Sequence, residues 1–330
     1  MDASEYYFFK SAEENLSSKM KEIMNNPLVS VIIPNFNHAR FLDERIQSIL
    51  NQTYQNYEII ILDDKSSDNS IDVINQYKDN PHVSCIIVND ENSGSTFKQW
   101  HKGFELAKGD VVWIAESDDS CDSGLLETLI RGFIDNDAVL AFCRSCEYSI
   151  DGIKRLYQNQ TNLLHDIVLD GKHFISEYMI DRNSVSNASS AIMSRQIATS
   201  IDKQYMNMRA EGDWLFWVEI MEHGNVFFCT KEMNYFRMHN SNSTKSYFYK
   251  GISVIEHKIT FDYLVKHGYL TRLKSKYERL RLLDSWAGIE FESTKVKRRI
   301  FNTWDRFRIW RLYLLVGNIK KCLKLIASLL

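Results

Sequence analysis

The chain has 330 residues, 44% of them hydrophobic and 12% aromatic, with a formal net charge of -3. That is apolar material for one large core or a core with an appended region, while 3 prolines and 13 glycines exclude collagen-like or linker-dominated architecture. The charge is unevenly placed: from Lys295 onward ten Lys or Arg face one acid, Asp305, so this tail carries +9 and residues 1–294 carry -12.

The opening MDASEYYFFKSAEENLSSKM is acidic where a secretory signal is basic and lacks a sustained apolar core, which predicts a cytoplasmic protein. VSVIIPNF (29–36) then reads as a strand ending in a turn, and FLDERIQSILNQ (41–52) has helical spacing. The alternation repeats: YEIIILDD (57–64) as strand, SIDVINQYKD (70–79) as helix, VSCIIVND (83–90) as strand, STFKQWHKGFELAKG (95–109) as helix, DVVWIAE (110–116) as a fourth strand. Apolar strands alternating with helices predict an α/β fold, a mostly parallel sheet flanked by helices. Trp100 shares a helix face with Phe97 and Phe104 and reads as packing.

Ligands of such sheets lie beyond the carboxyl ends of the strands. Each predicted strand ends in polar residues: PNFN, DDKSSDNS, NDENSGS and ESDDS. Asp63, Asp64, Glu116, Asp118 and Asp119 therefore converge on one rim, where unpaired acids repel unless a cation or a donor-rich ligand offsets them. Neither G-x-G-x-x-G nor G-x-x-x-x-G-K-[ST] is present. Phosphate would then be bridged to carboxylates by a hard divalent metal, Mn²⁺ or Mg²⁺. Six cysteines, Cys85, Cys121, Cys143, Cys146, Cys229 and Cys322, do not make a disulfide framework, and the lone C-x-x-C at Cys143 and Cys146 reads as buried thiols rather than a zinc site.

Further on, Trp214, Trp217, Val218 and Met221 recur at helical spacing, with Glu211 and Asp213 where a helix N-terminus favours carboxylates. Four blocks, VSVIIPNFN, IIILDDKSSDNS, GDVVWIAESDD and EGDWLFW, together resemble the signature of the family 2 glycosyltransferases of GT-A fold over about residues 28–245. The resemblance implies a nucleotide-sugar donor, probed at its base and ribose by Pro34, Phe36, Asn37 and Asp64. It implies metal and ribose contacts from Glu116, Asp118 and Asp119, with Asp118 as the direct ligand. Asp213 falls on the family's catalytic base, in an inverting displacement. NYFRMHNSNST (234–244) is similar to the family's R-x-H segment, which implies Arg237 at the phosphates and His239 at the metal. Ser189 and Ser190 fall where the family places a loop near the donor sugar, small polar residues that fit a binding loop or a simple turn, and Glu211 and Trp214 fall beside the donor or acceptor sugar. Two positions depart: Lys65 replaces a usual glycine, and Glu116 replaces the commonest first Asp.

These readings divide the chain into an N-terminal helical extension (1–27), a GT-A catalytic domain (28–245) and a helical, basic amphipathic C-terminal region (246–330). In the last, Trp304, Phe307, Trp310 and Leu314 interleave with Arg306, Arg308 and Arg311. Its longest uncharged stretch, Leu312 to Ile319, falls well short of the roughly 20 apolar residues a membrane span needs. Such a segment suits an anionic membrane surface, which predicts a peripheral protein on the inner face of the cell membrane, acting on a glycan or lipid-linked saccharide in surface polysaccharide synthesis. A packed helical subdomain and a homo-oligomer or polysaccharide-assembly partner stay open; no nucleic-acid motif accompanies the charge. The rival functions are a catalytically silent glycan-binding scaffold and a sugar nucleotidyltransferase, the latter expected to carry a glycine-rich basic loop where PNFNHARF stands.

Overall fold

The computed structural model describes residues 26–149, 154–156, 163–239 and 243–304; most of the expected N-terminal extension and the tail beyond Trp304 lie outside the described residues. Strands β1 (Val29–Asn35), β2 (Tyr57–Asp63), β3 (Val83–Val88) and β4 (Val111–Ile114) form where the β-branched runs predict them. Helices α1 (Ala39–Leu50), α2 (Ser70–Asn75) and α3 (Thr96–Leu106) connect them. β1 pairs in parallel with β2 and β4, and β2 with β3. Every residue of β1, β2 and β4 is buried, as strands covered on both faces require, whereas β3 is a half-exposed edge.

The chain continues through β5 (Ser120–Cys121), α4 (Leu125–Asp135), β6 (Ala138–Ser149), β7 (Lys154–Leu156), β8 (Ile167–Asp170), α5 (Gly171–Tyr178), β9 (Ala191–Ser194), α6 (Arg195–Ser200), α7 (Gly212–Met221) and β10 (Asn225–Met238). The main path of the sheet runs β3-β2-β1-β4-β9-β6-β10-β5. β9 lies antiparallel between β4 and β6, while β6 and β10 are parallel to each other. Running against β4, β9 brings its N-terminal end to the rim where β1, β2 and β4 end. β6 and β10, running against β9, bring their C-terminal ends to that same rim. Residues 187–190 and 237–239 thereby meet the acidic cluster after β4.

The sheet separates two apolar layers. One is built from alternate residues of β1, β2 and β4 with Leu42, Ile46, Leu126 and Leu129 of α1 and α4. The larger, on the other face, joins Phe97, Trp100 and Phe104 of α3 to all the large apolar residues of α7. It continues without a break into Val254, Phe261, Leu264, Trp286, Ile300 and Trp304. These belong to the C-terminal helices, α8 (Ser243–Tyr249), α9 (Ile252–Lys266), α10 (Arg272–Ala287) and α11 (Thr294–Trp304). Trp304 is buried and its indole N–H donates to the Val254 carbonyl at 2.7 Å, tying α11 to α9. Among the described residues no helix is long and apolar enough to cross a membrane.

Candidate active site

The loops after β1 and β2 form the first wall. Asn37 and Lys65 both hold left-handed backbone, φ 57° and 66°, so each chain turns sharply as it leaves its strand. The two turns interlock: the Asn37 N–H donates to Ser66 Oγ at 2.9 Å, and Asn37 Oδ1 accepts from the Ser67 N–H at 2.7 Å. Phe36 projects from this wall, 45% exposed, while Pro34 is buried in β1. Asp63 takes Asn35 Nδ2 and the Ser66 hydroxyl and N–H, so it holds the turn. Asp64 is nearly buried; its Oδ1 accepts from Asn89 Nδ2, the Ser93 N–H and Gln99 Nε2, and its Oδ2 from the Ser93 hydroxyl. A carboxylate with that many donors is rigidly aimed.

The acids after β4 have separate fates. Glu116 Oε1 accepts the Trp100 indole N–H at 2.8 Å. Burial first, then the Asp118 charge, pushes its carboxyl up to about 8. Asp119 turns inward: Oδ2 accepts from Asn187 Nδ2 and Ser189 Oγ, and Oδ1 from the Arg237 N–H. Burial and then the Asp118 charge raise it to about 6. With both oxygens engaged by Asn187, Ser189 and the Arg237 N–H, Asp119 braces strand ends; it is not in the described cluster able to hold a cation.

That cluster is His38, Asp118 and His239, whose ligand atoms lie within 4.8 Å of one another. His239 Nε2 is 2.9 Å from Asp118 Oδ2, and His38 Nε2 is 4.0 Å from the same oxygen. His38 Nδ1 sits 2.9 Å from Ser117 Oγ, an outer partner that orients the ring and leaves Nε2 for the cluster. Burial lowers the His38 imidazole, favouring the neutral form that ligates. Burial alone would raise Asp118, but the hydrogen bond with His239 leads the effects that outweigh it and hold the carboxyl below its ordinary range. Two imidazoles and a carboxylate suit a first-row divalent transition ion better than Mg²⁺, which takes oxygen ligands by preference.

Arg237 is buried between the rings of Phe41 and Tyr148. Its Nε donates to the Asp118 carbonyl and its Nη2 pairs with Glu44 Oε1 at 2.6 Å, so in this structure it fixes the rim. Arg45 is fully buried over Trp113, and its positive charge moderates both Glu116 and Asp119.

Asp213 stands in the first turn of α7, accepting from Asn183 Nδ2 at 2.9 Å. Burial, then the neighbouring Glu211 charge, raises its carboxyl to about 7, a value suited to taking a proton near neutral pH. Trp100 joins the two halves of the site: its ring packs on Phe216 and Trp217 of α7 while its N–H reaches Glu116. Three expected sugar contacts are occupied otherwise. Trp214 is fully buried with its N–H on the Met179 carbonyl. Ser189 and Ser190 are buried in the 187–190 turn, their hydroxyls on Asp119 and on the Asn187 carbonyl.

Sequence reasoning missed His38, Asn187, Asn183 and the polar role of Trp100. His38 alone left a trace, as the imidazole closest to the end of β1. Cys143 and Cys146 are buried thiols, as expected, and burial raises the Cys143 thiol far above its ordinary range.

The sequence model described as Glycosyl transferase family 2 matches residues 30–200. A Bacillus subtilis protein named as a teichuronic acid biosynthesis glycosyltransferase is 25% identical over 276 residues, 83% of this chain and 98% of that protein. A Campylobacter jejuni GalNAc(5)-diNAcBac-PP-undecaprenol β-1,3-glucosyltransferase is 35% identical over 106 residues, 32% of this chain and 34% of its own. Among solved structures, S. aureus TarS 1–349 in complex with UDP-GlcNAc superposes with TM-score 0.60 at 14% identity, over 83% of this chain and 79% of that one. The order of the strands, the rim they share and the family match over half the chain agree: this protein is a transferase of the GT-A fold and belongs to glycosyl transferase family 2.

Proposed function

We propose that the chain is an inverting, metal-assisted glycosyltransferase that moves a sugar from a nucleotide donor, with uridine diphosphate as carrier, to a hydroxyl of a glycan or lipid-linked saccharide in surface polysaccharide synthesis. The observation that carries this reading is the pairing of His38, Asp118 and His239 on one rim with a carboxyl at Asp213 raised to about 7. Support for the donor comes from TarS, solved with UDP-GlcNAc, and for the acceptor from the names of the Bacillus and Campylobacter relatives.

In this reading the base lies at Phe36 and the interlocked turns, and Asp64 receives the ribose or base edge. His38, Asp118 and His239 would hold a divalent ion, which as a Lewis acid would stabilise charge on the departing diphosphate. Asp213 accepts the proton of the acceptor hydroxyl as that oxygen attacks the anomeric carbon from the face opposite the leaving group, inverting it. Arg237, with Asp119, holds the Asp118 loop in place. The basic C-terminal region carries the enzyme to the cytoplasmic face of an anionic membrane; Lys295, Lys297, Arg298 and Arg299 lie on described helix α11 and the rest of the charge lies beyond it.

Titration calorimetry with a panel of nucleotide-sugars tests this, with Mn²⁺, with Mg²⁺ and with chelator. One donor should bind with Mn²⁺ and lose affinity in chelator. Asp118→Ala should abolish that binding, and Asp213→Asn should keep it while losing turnover. Absence of donor binding under every one of these conditions overturns the metal-assisted mechanism proposed here.

A further inference from the structure

The C-terminal region reaches the candidate base through two consecutive side chains of α9. Glu256 receives three successive backbone N–H groups of the loop before α7. Its Oε2 accepts from Ala210 at 2.8 Å and from Glu211 and Arg209 at 3.1 Å, and its Oε1 from Arg209 at 2.9 Å. The N-cap of α7, Glu211, makes no capping bond with its own side chain. The anion that holds this turn therefore comes from another helix. The next residue, His257, places Nδ1 3.7 Å from the Glu211 carboxylate and its ring 4.4 Å from that of Trp214. One residue pair thus grips the backbone before Asp213 and the side chains on either side of it.

The helix does not need these contacts to stay docked. α9 is already fixed by buried Val254, Phe261 and Leu264, by the Trp304 bond to Val254, and at its far end by Glu222, which accepts from Tyr263 and Tyr269 and lies 3.1 Å from His267 Nδ1. A carboxylate accepting three N–H groups makes charge-assisted bonds with strict geometry, and here that geometry is imposed on the segment that carries the base.

We infer that Glu256 and His257 are positioning residues for Asp213, setting where its carboxylate stands relative to the acceptor hydroxyl; this rests on the reading of Asp213 as base. A displacement of about 1 Å at a reacting group costs on the order of 100-fold in rate, so the contact acts on turnover more than on donor affinity.

The test uses the full chain, with Glu256→Gln, Glu256→Asp, Glu222→Gln and Asp213→Asn measured for melting temperature, Mn²⁺-dependent donor affinity, and kcat and KM toward acceptor. Glu256→Gln should lower kcat about 10- to 100-fold with donor affinity within about twofold, since a neutral amide cannot accept all three bonds. Glu256→Asp, which keeps the charge, should recover part of that loss. Glu222→Gln should lower the melting temperature and leave kcat unchanged. Wild-type kcat in both Glu256 variants, with Asp213→Asn inactive, overturns the positioning role alone. Loss of melting temperature and donor affinity together in both Glu256 variants makes the contact a structural tie and equally overturns it. Full turnover by Asp213→Asn overturns the base assignment and this inference with it.

Discussion

Lys65 occupies the position where the family pattern has glycine, and its conformation is costly: at φ 66° its Cβ is set against the following carbonyl. That costs roughly 1–2 kcal/mol, against about 0.5–1 kcal/mol of unfolded-state entropy for glycine. Lys65→Gly should therefore stabilise the protein by up to about 1 kcal/mol in a denaturant titration, with donor affinity unchanged because the interlocked turn is kept. Asp213 gives a pH prediction. A base must be ionised to accept a proton, and in the role proposed for Asp213 burial followed by the Glu211 charge holds its carboxyl at about 7. At saturating Mn²⁺ and donor, kcat should rise with pH through about 7 and then level off. Glu211→Gln removes the second cause and should move that rise to lower pH, read from a kcat–pH profile. A motif points to single residues such as Asp118, Asp213 and His239, and the structure sets His239 Nε2 2.9 Å from Asp118 Oδ2. His38 was not legible in this way, because its partners at 117, 118 and 239 are distant in sequence and only the strand order brings them together.

Elements show the same division. The first four strands were readable because each is a short β-branched run, and three of them are buried on both faces. β10 was not: its fourteen residues, NVFFCTKEMNYFRM, are interrupted by register shifts between Cys229, Glu232 and Asn234, which break the period-two pattern. α7 was recognised as a helix with one buried face, yet Gly212 and every residue from Trp214 to Met221 are buried, since it packs among the sheet, α5 and α9. This leaves Glu219 inside, where burial first, then the charges of Asp202 and Glu222, raise its carboxyl to about 8. A carboxyl raised in the folded state binds its proton there and releases it on unfolding, so its contribution falls as pH rises from its ordinary range through about 8. Glu219→Gln should therefore melt progressively higher than wild type between pH 5 and pH 8.5, by on the order of a few kcal/mol at the upper end. At the start of the same helix, a Cβ on Gly212 would lie 2.7 Å from the Tyr205 carbonyl and from the Phe97 ring. Gly212→Ala should cost about 1–3 kcal/mol and reduce turnover by shifting Asp213, measured by thermal melts beside kcat.

At the scale of the molecule, the sequence pattern suggests a boundary near residue 245, but the larger apolar cluster crosses it, from Phe97 and Trp217 to Phe261 and Trp304. A chain ending at residue 245 would expose those faces and should aggregate or lose its cooperative melt, whereas one ending at 304 should keep its melting temperature and donor affinity. The shorter tail should bind anionic vesicles less than the full chain in a sedimentation assay, since most of the basic excess lies beyond 304. The helix that Trp304 ties down is the one that grips the backbone before Asp213. The family match ends at residue 200, before Asp213, Arg237, His239 and Glu256. A graft between relatives should keep its turnover only if residues 201–304 travel as one piece, because in the proposed arrangement Glu256 and His257, midway along that piece, hold the loop before Asp213.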